Sequence, residues 1–391
     1  MKFFGFSRER IMNNGASHEH IAFSISGFIK KNIVFVIALI AAVITMFIIP
    51  PDAEYIEYFD FKTLTCLFCV LAVVCGLKNI NFFYILAREV VMRFGNLRIC
   101  VIAVVYITFI GSMLIANDMA LLTFLPLGYF VLDVTNNRKY TALTFILQNI
   151  AANLGGMLTP FGNPQNLYLY TKFNIPTGEF MGIMALPFII SIVIITLCCL
   201  FVKPEKVDIP TDDTLPLPKG KTVILALLFV FAIAIVFRGV PYQLGLIIIP
   251  IVMLIVDRKA LKLVDYPLLL TFAAFFVFSG NMARIGIIRD FVSGLLEKNT
   301  LITSILSCQF ISNVPSAILL SQFTENYREL LIGVNIGGVG TLIASLASLI
   351  TFREFTKNYP ARTKSYILLF LAINFAFLLV LTVIMSIVMA K

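Results

Sequence analysis

The sequence predicts an all-α polytopic membrane protein of about 9–11 spans, and three observations support this fold class. Hydrophobic residues make up 60% of the 391 residues and charged residues only 13%, which excludes a soluble globular fold. Apolar segments long enough to cross a bilayer recur almost to the C-terminus. Two further apolar stretches are interrupted by polar residues, as expected for irregular backbone buried inside a membrane protein.

Nine segments have the length of a membrane-crossing helix, since a helix rises about 1.5 Å per residue. They are residues 32–50, 62–77, 141–170, 180–202, 222–237, 242–256, 267–282, 330–352 and 365–390. The two interrupted stretches are residues 99–133 and 301–323. We expect each of these to form a re-entrant helical hairpin that enters and leaves by one face of the membrane.

The distribution of basic residues predicts the orientation. With the N-terminus in the cytoplasm, 22 of the 30 Lys and Arg residues fall in cytoplasmic segments, while the first outer loop, residues 51–60, has four acidic residues and no basic one. This bias follows the positive-inside rule, so the net charge of +9 reflects topology and not a nucleic-acid partner. It places the first hairpin on the cytoplasmic side and the second on the outer side.

An internal repeat divides the chain. The first hairpin tip reads Ala-Asn-Asp at 116–118, and the second reads Ser-Asn-Val at 312–314; Asn, Gly, Gly and Thr then recur at equal spacing in 153–159 and 335–341. Two inverted halves offer similar arrangements open to either side of the membrane, which is typical of secondary transporters. The predicted units are an N-terminal repeat, residues 1–202, a Pro-rich cytoplasmic linker, 203–221, and an inverted C-terminal repeat, 222–391.

A helix-breaking segment follows each hairpin. The first, Thr159-Pro-Phe-Gly-Asn-Pro-Gln-Asn166, has two prolines and a glycine, which interrupt helical hydrogen bonding. The second, residues 341–348, has no proline, so we expect a milder break in which hydroxyl groups take over. Carbonyl groups freed at such breaks can coordinate Na⁺, and half-helix N-termini together with amide side chains can bind an anion.

Asp118 is the carboxylate at a hairpin tip, and the repeat alignment predicts that it lies near the middle of the membrane. An intramembrane acid is a candidate Na⁺ ligand or proton carrier. The alternative is a helix N-cap at the start of the second hairpin arm. Asn117 and Asn313 have a similar pair of interpretations, as site residues or as turn-forming residues at the tips.

The motifs at the tips and breaks resemble those of a known transporter group. The segments 159–166 and Ile311-Ser-Asn-Val-Pro-Ser316 are similar to the two signatures of the ArsB/NhaD ion transporter superfamily, which includes arsenite pumps, sodium/proton antiporters, and citrate and divalent anion:sodium symporters. The resemblance covers nearly the whole chain beyond about residue 30 and implies secondary transport by alternating access. It implies one cation site at Asn117, Asp118, Thr159 and Gly162, a second at Ser312, Asn313, Thr341 and Ala344, and substrate binding by Asn163, Asn166, Ser345 and Ser348.

The sequence leaves the substrate and the coupling ion open. The expected substrate is a di- or tricarboxylate or an arsenite-like oxyanion, coupled to Na⁺ or H⁺. However, the dicarboxylate symporters have Ser-Asn-Thr at both tips, which this chain lacks, and the first half has one crossing fewer before its hairpin than the second. The alternative is a Na⁺/H⁺ antiporter in which Asp118 carries the exchanged ions, and a passive channel fits the inverted repeat less well.

No enzymatic site is predicted, because the sequence has neither a His-Glu-x-x-His nor a Gly-x-Ser-x-Gly motif. No cofactor, structural metal or catalytic residue is expected. The expected partners are the small anionic substrate, membrane lipid and, by resemblance, a second copy of the chain in a homodimer. The expected location is the plasma (inner) membrane.

Overall fold

The computed structural model describes residues 32–208 and 216–389, and these residues form helices joined by short connections. Residues 1–31 of the predicted N-terminal repeat, with the predicted cytoplasmic N-terminus, residues 209–215 of the predicted linker and residues 390–391 lie outside the described ranges. The α-helices of the described part are α1 (Ile33–Ile48), α2 (Phe61–Asn79), α3 (Phe82–Val91), α4 (Leu97–Ile115), α5 (Asn117–Val134), α6 (Thr141–Gly155), α7 (Pro164–Lys172), α8 (Thr177–Cys199), α9 (Lys219–Val236), α10 (Tyr242–Val256), α11 (Arg258–Lys262), α12 (Tyr266–Arg284), α13 (Gly286–Lys298), α14 (Thr300–Ile311), α15 (Asn313–Leu320), α16 (Tyr327–Ile336), α17 (Leu346–Asn358) and α18 (Thr363–Met389).

The helices have the length and surface of membrane spans. Among the described residues, eight helical segments are long and apolar enough to cross a bilayer, and α1, α10 and α14 are shorter apolar helices. Large apolar side chains point outward, including Phe47 at 84% exposure and Ile255 at 82%. An apolar exterior is what a lipid-facing surface requires. The expected all-α polytopic fold is therefore confirmed.

The first hairpin consists of two long antiparallel helices, α4 and α5, which meet at Ala116. Gln148 of α6 joins both arms, because its side-chain amide donates to the Thr108 hydroxyl of α4 and the Phe124 carbonyl of α5, both at 3.0 Å. Arms of 19 and 18 residues are each about 28 Å long. The hairpin is thus long enough to reach across most of a hydrocarbon core, further than a short re-entrant loop.

The second hairpin is shorter. Its arms, α14 and α15, have 12 and 8 residues and meet at Ser312. The Ser307 and Ser316 hydroxyls are 2.9 Å apart across the arms. Gly333 of α16 packs so closely on Ser304 that an added methyl group would have to displace it. This hairpin, like the first, therefore packs tightly against a neighbouring helix.

The spans that precede each hairpin pack against one another. Helix α12 lies along α1, and α9 and α10 lie along α2. Asn281 of α12 donates to the Thr45 hydroxyl of α1 at 3.1 Å and to the Tyr55 hydroxyl at 2.9 Å. Helix α17 contacts α5 and α6, and the short helix α7 lies against α2, α15 and α16. The two breaks are consequently held in the middle of the bundle.

Candidate functional site

Both hairpin tips have the same unusual backbone. Ala116 has φ +65° and ψ 149°, and Ser312 has φ +74° and ψ 158°, a region that non-glycine residues rarely adopt. The next residue stabilises the new helix: the side-chain oxygens of Asn117 and Asn313 each accept a hydrogen bond from the following amide at 2.9 Å. Both asparagines thus bond to the backbone at the tips, and their role as site residues stays a prediction.

The first tip is bonded to the first break. The Asn117 backbone amide donates to the Gly162 carbonyl at 3.1 Å. The Thr159 hydroxyl donates to the Met113 carbonyl at 2.7 Å. A methyl group on Gly162 would overlap the carbonyl oxygen of Gly156. The structure thus brings three of the four residues of the first predicted cation site, Asn117, Thr159 and Gly162, into one tight cluster.

The second tip repeats these contacts. The Asn313 amide donates to the Ala344 carbonyl at 2.9 Å, and the Ser312 hydroxyl donates to the same oxygen at 3.3 Å. The Thr341 hydroxyl donates to the Gln309 carbonyl at 3.1 Å. All four residues of the second predicted site are therefore brought together, with Gln309 as a partner that sequence reasoning missed. The opposite orientation of the two halves in the membrane stays a prediction.

The second helix break is more extensive than the sequence predicted. In the first, the α-helix ends at Gly155 and restarts at Pro164, with a 3₁₀ turn at Gly156–Leu158 between them. In the second, residues 337–345 all leave the helix. The expected milder second break is therefore wrong. Glycine replaces proline as the cause, because Gly340 has φ +140°, and the Gln309 side chain bonds the freed Gly337 carbonyl at 2.8 Å and the Thr341 amide at 2.9 Å.

Asn163 and Asn166 of the first half meet Asn335 of the second. The Asn163 side-chain amide donates to the Asn335 side-chain oxygen at 3.2 Å. Asn335 in turn donates to the Asn166 side-chain oxygen at 2.6 Å. All three side chains are buried, with at most 1% exposure. These two predicted substrate residues thus lie at a polar contact between the halves.

Ser345 and Ser348 lie at the start of α17 and make the reciprocal contact. The two hydroxyls are 2.9 Å apart, and the Asn149 side chain of α6 donates to the Ser348 hydroxyl at 3.3 Å. Asn153 donates to the Asn149 carbonyl at 3.1 Å, and Asn163 donates to the Asn153 carbonyl at 3.2 Å. One hydrogen-bonded network therefore joins the four predicted substrate residues of both halves, and we call it the amide network.

Sequence reasoning did not select Asn149, Asn153 and Asn335 of the amide network as site residues. A signal was present for two of them, because Asn153 and Asn335 occupy matching positions in the internal repeat. Asn149 precedes Asn153 by one helical turn and so lies on the same helix face. Buried amides on one face of a helix that leads into a break are the pattern that could have identified it.

Asp118 differs from the other predicted site residues. It lies in the first turn of α5, whose N-cap is Ala116, and no side-chain cap bond forms there within the described residues. The capping interpretation of Asp118 is therefore wrong. One of its carboxylate oxygens is buried and has no hydrogen-bond partner in the part of the chain that the structure describes. Its side chain lines a narrow cavity together with Asn163 and Asp265.

The predicted site residues and the described residues that line the cavity include no basic side chain. Within residues 32–208 and 216–389, Asp257 is the one charged residue in the buried class, and the other buried polar side chains are Ser, Thr, Asn and Gln. Burying an anion without compensation is costly. A negatively charged substrate would therefore need the positive ends of the half-helices or a co-bound cation to balance its charge.

The comparison with known proteins agrees with this architecture. The profile of the family described as citrate transporter matches residues 21–326, a range that contains the first tip and break and the second tip. The chain belongs to the citrate transporter family. The superfamily predicted from the two motifs, the ArsB/NhaD type, is thereby confirmed.

Three relatives carry transporter or membrane-protein names. The Uncharacterized transporter MJ0456 of Methanocaldococcus jannaschii is 34% identical over 306 residues, which cover 78% of this chain and 84% of that protein. The Inner membrane protein YbiR of Escherichia coli K12 is 30% identical over 304 residues, covering 75% of this chain and 80% of that protein. The Silicon efflux transporter LSI3 of Oryza sativa subsp. japonica is 34% identical over 135 residues, covering 34% and 27%. This citrate transporter family member is therefore an integral membrane transporter and not an enzyme.

Proposed function

We propose that this chain is a secondary active transporter that moves a small anion across the membrane by alternating access, coupled to Na⁺ or H⁺. The amide network is the observation that supports this function most directly. It joins the first break and the helices that flank both breaks through Asn163–Asn335 and Asn149–Ser348. Side chains that now bond to each other across the halves can instead bond to a substrate when the halves separate.

The half-helix N-termini support an anionic substrate. Helix α7 begins directly after Asn163 and α17 directly after Ser345. A helix N-terminus has free amide groups and a partial positive charge, so both helices offer favourable positions for negative oxygen atoms. Hydroxyls and amides around them supply directed hydrogen bonds without a fixed counter-charge.

Two substrate classes follow from these groups. The family description supports an organic di- or tricarboxylate. The name of the relative Silicon efflux transporter LSI3 supports a small inorganic substrate, and an arsenite-like oxyanion belongs to that class. We place the carboxylate first because its relation rests on most of the chain, whereas the silicon transporter matches over 135 residues.

A Na⁺/H⁺ antiporter is the second candidate, and Asp118 is the observation that favours it. Among the described residues, its buried carboxylate oxygen has no hydrogen-bond partner. A carboxylate of this kind can bind and release a cation without any anion being transported. In that case the ion dependence of transport would not require a co-substrate.

The test is the thermal stability of the purified protein in sodium or choline buffer, each with citrate, succinate, phosphate or arsenite. A ligand that binds the folded state raises its apparent stability. Stabilisation by one anion that depends on sodium or pH, followed by uptake of that anion into proteoliposomes, is the expected result. An ion effect with no anion effect would support the antiporter. No effect of any ion or anion would contradict both.

The assembly and the location are also proposals. The name of the Escherichia coli relative supports the plasma (inner) membrane, and the distribution of basic residues supports a cytoplasmic N-terminus. A homodimer rests on resemblance, and the molar mass of the detergent-solubilised protein tests it. The inverted orientation of the two halves can be tested by labelling single cysteines at the two hairpins from either side of the membrane.

A further inference from the structure

The narrow cavity at the N-terminal end of α7 has two carboxylates in its wall. Asp118 comes from the first hairpin and Asp265 from the start of α12. The rest of the wall is mostly apolar, with Leu67, Leu268 and Phe161 among its side chains. Two negative charges that face one apolar cavity repel each other, and this repulsion is relieved when one positive charge binds between them.

A third group in the wall also points to a ligand. Asn163 is 1% exposed, and its side-chain oxygen has no hydrogen-bond partner among residues 32–208 and 216–389. Buried polar atoms without a partner are rare, so each requires an explanation. Carboxylate and amide oxygens are the ligands that hard cations prefer. The cavity thus has two residues, Asp118 and Asn163, each with an unpaired oxygen of a type that binds cations.

We propose that Asp118, Asp265 and Asn163 form a binding site for a monovalent cation, Na⁺ or a proton. We call it the acid cavity. Because its residues come from the first hairpin, the first break and α12, occupancy would hold these three elements together. The identification of this cation as the coupling ion rests on the proposed function, whereas its binding does not. Asp265 has no counterpart in either motif of the sequence, and only the fold brings it to Asp118.

Other titratable groups face these two acids. Lys78, at the end of α2, approaches the Met119 sulfur next to Asp118 at 3.9 Å. The Cys75 thiol of α2 donates to the Leu263 carbonyl close to Asp265 at 3.4 Å. Lys78 is not among the described residues that line the cavity. Any effect of pH must therefore be assigned by variants and not by the profile alone.

The test compares the wild type with Asp265→Asn. The Asp265 carboxylate caps α12 by accepting from the Leu268 amide at 3.0 Å, and asparagine caps a helix equally well. The substitution therefore removes the charge and keeps the cap. Asp290→Asn, at a side chain with 80% exposure, is the control for loss of one negative charge. Asp265→Ser is a second neutral cap for use if the asparagine variant fails to fold.

The readout is the thermal midpoint of purified protein, titrated with NaCl at fixed pH and, in choline buffer, with pH. If the cation is Na⁺, Asp265→Asn should raise the NaCl concentration at half-maximal stabilisation by at least about tenfold. If it is a proton, the substitution should lower the pH at half-maximal stabilisation by about one unit. A tenfold change in affinity equals 1.4 kcal/mol. The NaCl titration and the pH titration together distinguish Na⁺ from a proton. The double variant Asp118→Asn/Asp265→Asn should shift the half-maximal point no further than Asp118→Asn alone, because both residues act at one site.

The acid cavity would be excluded as a cation site if the wild type, Asp290→Asn and Asp265→Asn had the same half-maximal points in both titrations. Additive effects of the two substitutions would overturn it as well. The proposed function fails by a different result, namely no anion uptake by the wild type under any ion gradient. Cation binding at the acid cavity could still be measured in that case, so the two failures are distinguishable.

Discussion

The two tip–break pairs of the molecule share a backbone and differ in their side chains. In both, a tip residue with positive φ is followed by an asparagine whose amide donates to a carbonyl of the break. In the first pair, Asp118 and Asn163 each have a buried oxygen without a partner among the described residues. In the second pair, the equivalent positions are Val314 and Ser345, and the Ser345 hydroxyl bonds to Ser348. One scaffold thus carries a half suited to a charged ligand and a half whose polar groups satisfy each other.

The starts of the two half-helices, α7 and α17, differ in side-chain capping. The Ser345 side chain caps α17 by accepting from the Ser348 amide at 3.2 Å. Asn163 occupies the corresponding position before α7, and no side-chain cap bond forms there within the described part of the chain. Helix α7 also begins with Pro164, which has no amide hydrogen, and the Asn166 backbone amide already donates to the Asn163 carbonyl at 3.1 Å. From the unpaired oxygens of Asp118 and Asn163 we infer that the first half responds to the coupling ion more strongly than the second.

The largest expected effect is that of Asp118→Asn. It removes the charge that distinguishes the first pair, so the dependence of uptake on Na⁺ or pH should fall by at least about tenfold. Uptake into proteoliposomes with and without an ion gradient measures this. Val314→Asn is the matched substitution at the second tip, and it should leave the ion dependence unchanged. Retained ion dependence in Asp118→Asn would exclude this carboxylate as the coupling residue.

Gly162→Ala should cause the next largest effect. The second half already has alanine at the equivalent position, Ala344. At Gly162, however, the new methyl group would overlap the Gly156 carbonyl oxygen. Such overpacking against backbone should lower the free energy of unfolding by about 1–3 kcal/mol. Thermal unfolding in detergent measures the change, and the reverse substitution Ala344→Gly should cost less. Equal losses would show that the two breaks are packed alike.

Asn335→Ala tests the contact between the halves. It leaves the Asn166 oxygen buried without its 2.6 Å donor, which should cost about 1–3 kcal/mol of stability. It should also weaken the stabilisation that an added anion provides. Asn374, which is buried and bonds one turn back to Phe370 at 2.8 Å, is the matched control outside the amide network. If Asn374→Ala weakened anion stabilisation as much, the network would have no special role.

The smallest expected effect concerns Asp257, a buried acid that contrasts with Asp118 because it is fully partnered. Burial alone would raise the pKa of Asp257, but hydrogen bonds from Asn79 and Lys221 outweigh it and hold the pKa below 3.8. The Lys221 ammonium is 2.7 Å away. Since the folded-state pKa is depressed, the stabilisation is fully present above the unfolded value and is lost as pH falls through the folded one.

Asp257→Asn should therefore lower the free energy of unfolding by about 1 kcal/mol at neutral pH. Its difference from the wild type should shrink as pH falls below 3.8 and disappear once the pH is below the folded-state pKa of Asp257. Thermal scans at neutral and acid pH measure both. Lys221→Gln should reproduce the neutral-pH loss. A difference between wild type and Asp257→Asn that persisted at acid pH would mean that packing, and not the ion pair, stabilises this corner.

Much of the fold could be predicted from local sequence properties. Hydropathy predicted the helical membrane fold, and proline and glycine at 159–164 predicted the first break. The second break was underestimated, because its glycines act only together with Gln309, whose side chain bonds the freed backbone from another helix. Whether Asp118 caps α5 was left open because a shift of two positions along the chain decides it. The N-cap is Ala116, and Asp118 lies in the first turn of the helix.

The sequence by itself determined which residues form apolar helices, where these helices are interrupted, and the family to which the chain is similar. Each of these depends on residues within a few positions of one another. Only the tertiary structure decided that Asn149 bonds to Ser348, 199 positions away, and that Asp265 shares a cavity with Asp118. The physical reason is that hydropathy and backbone propensity act locally, whereas a binding site depends on which helix faces pack together, and many packings are compatible with the same apolar pattern.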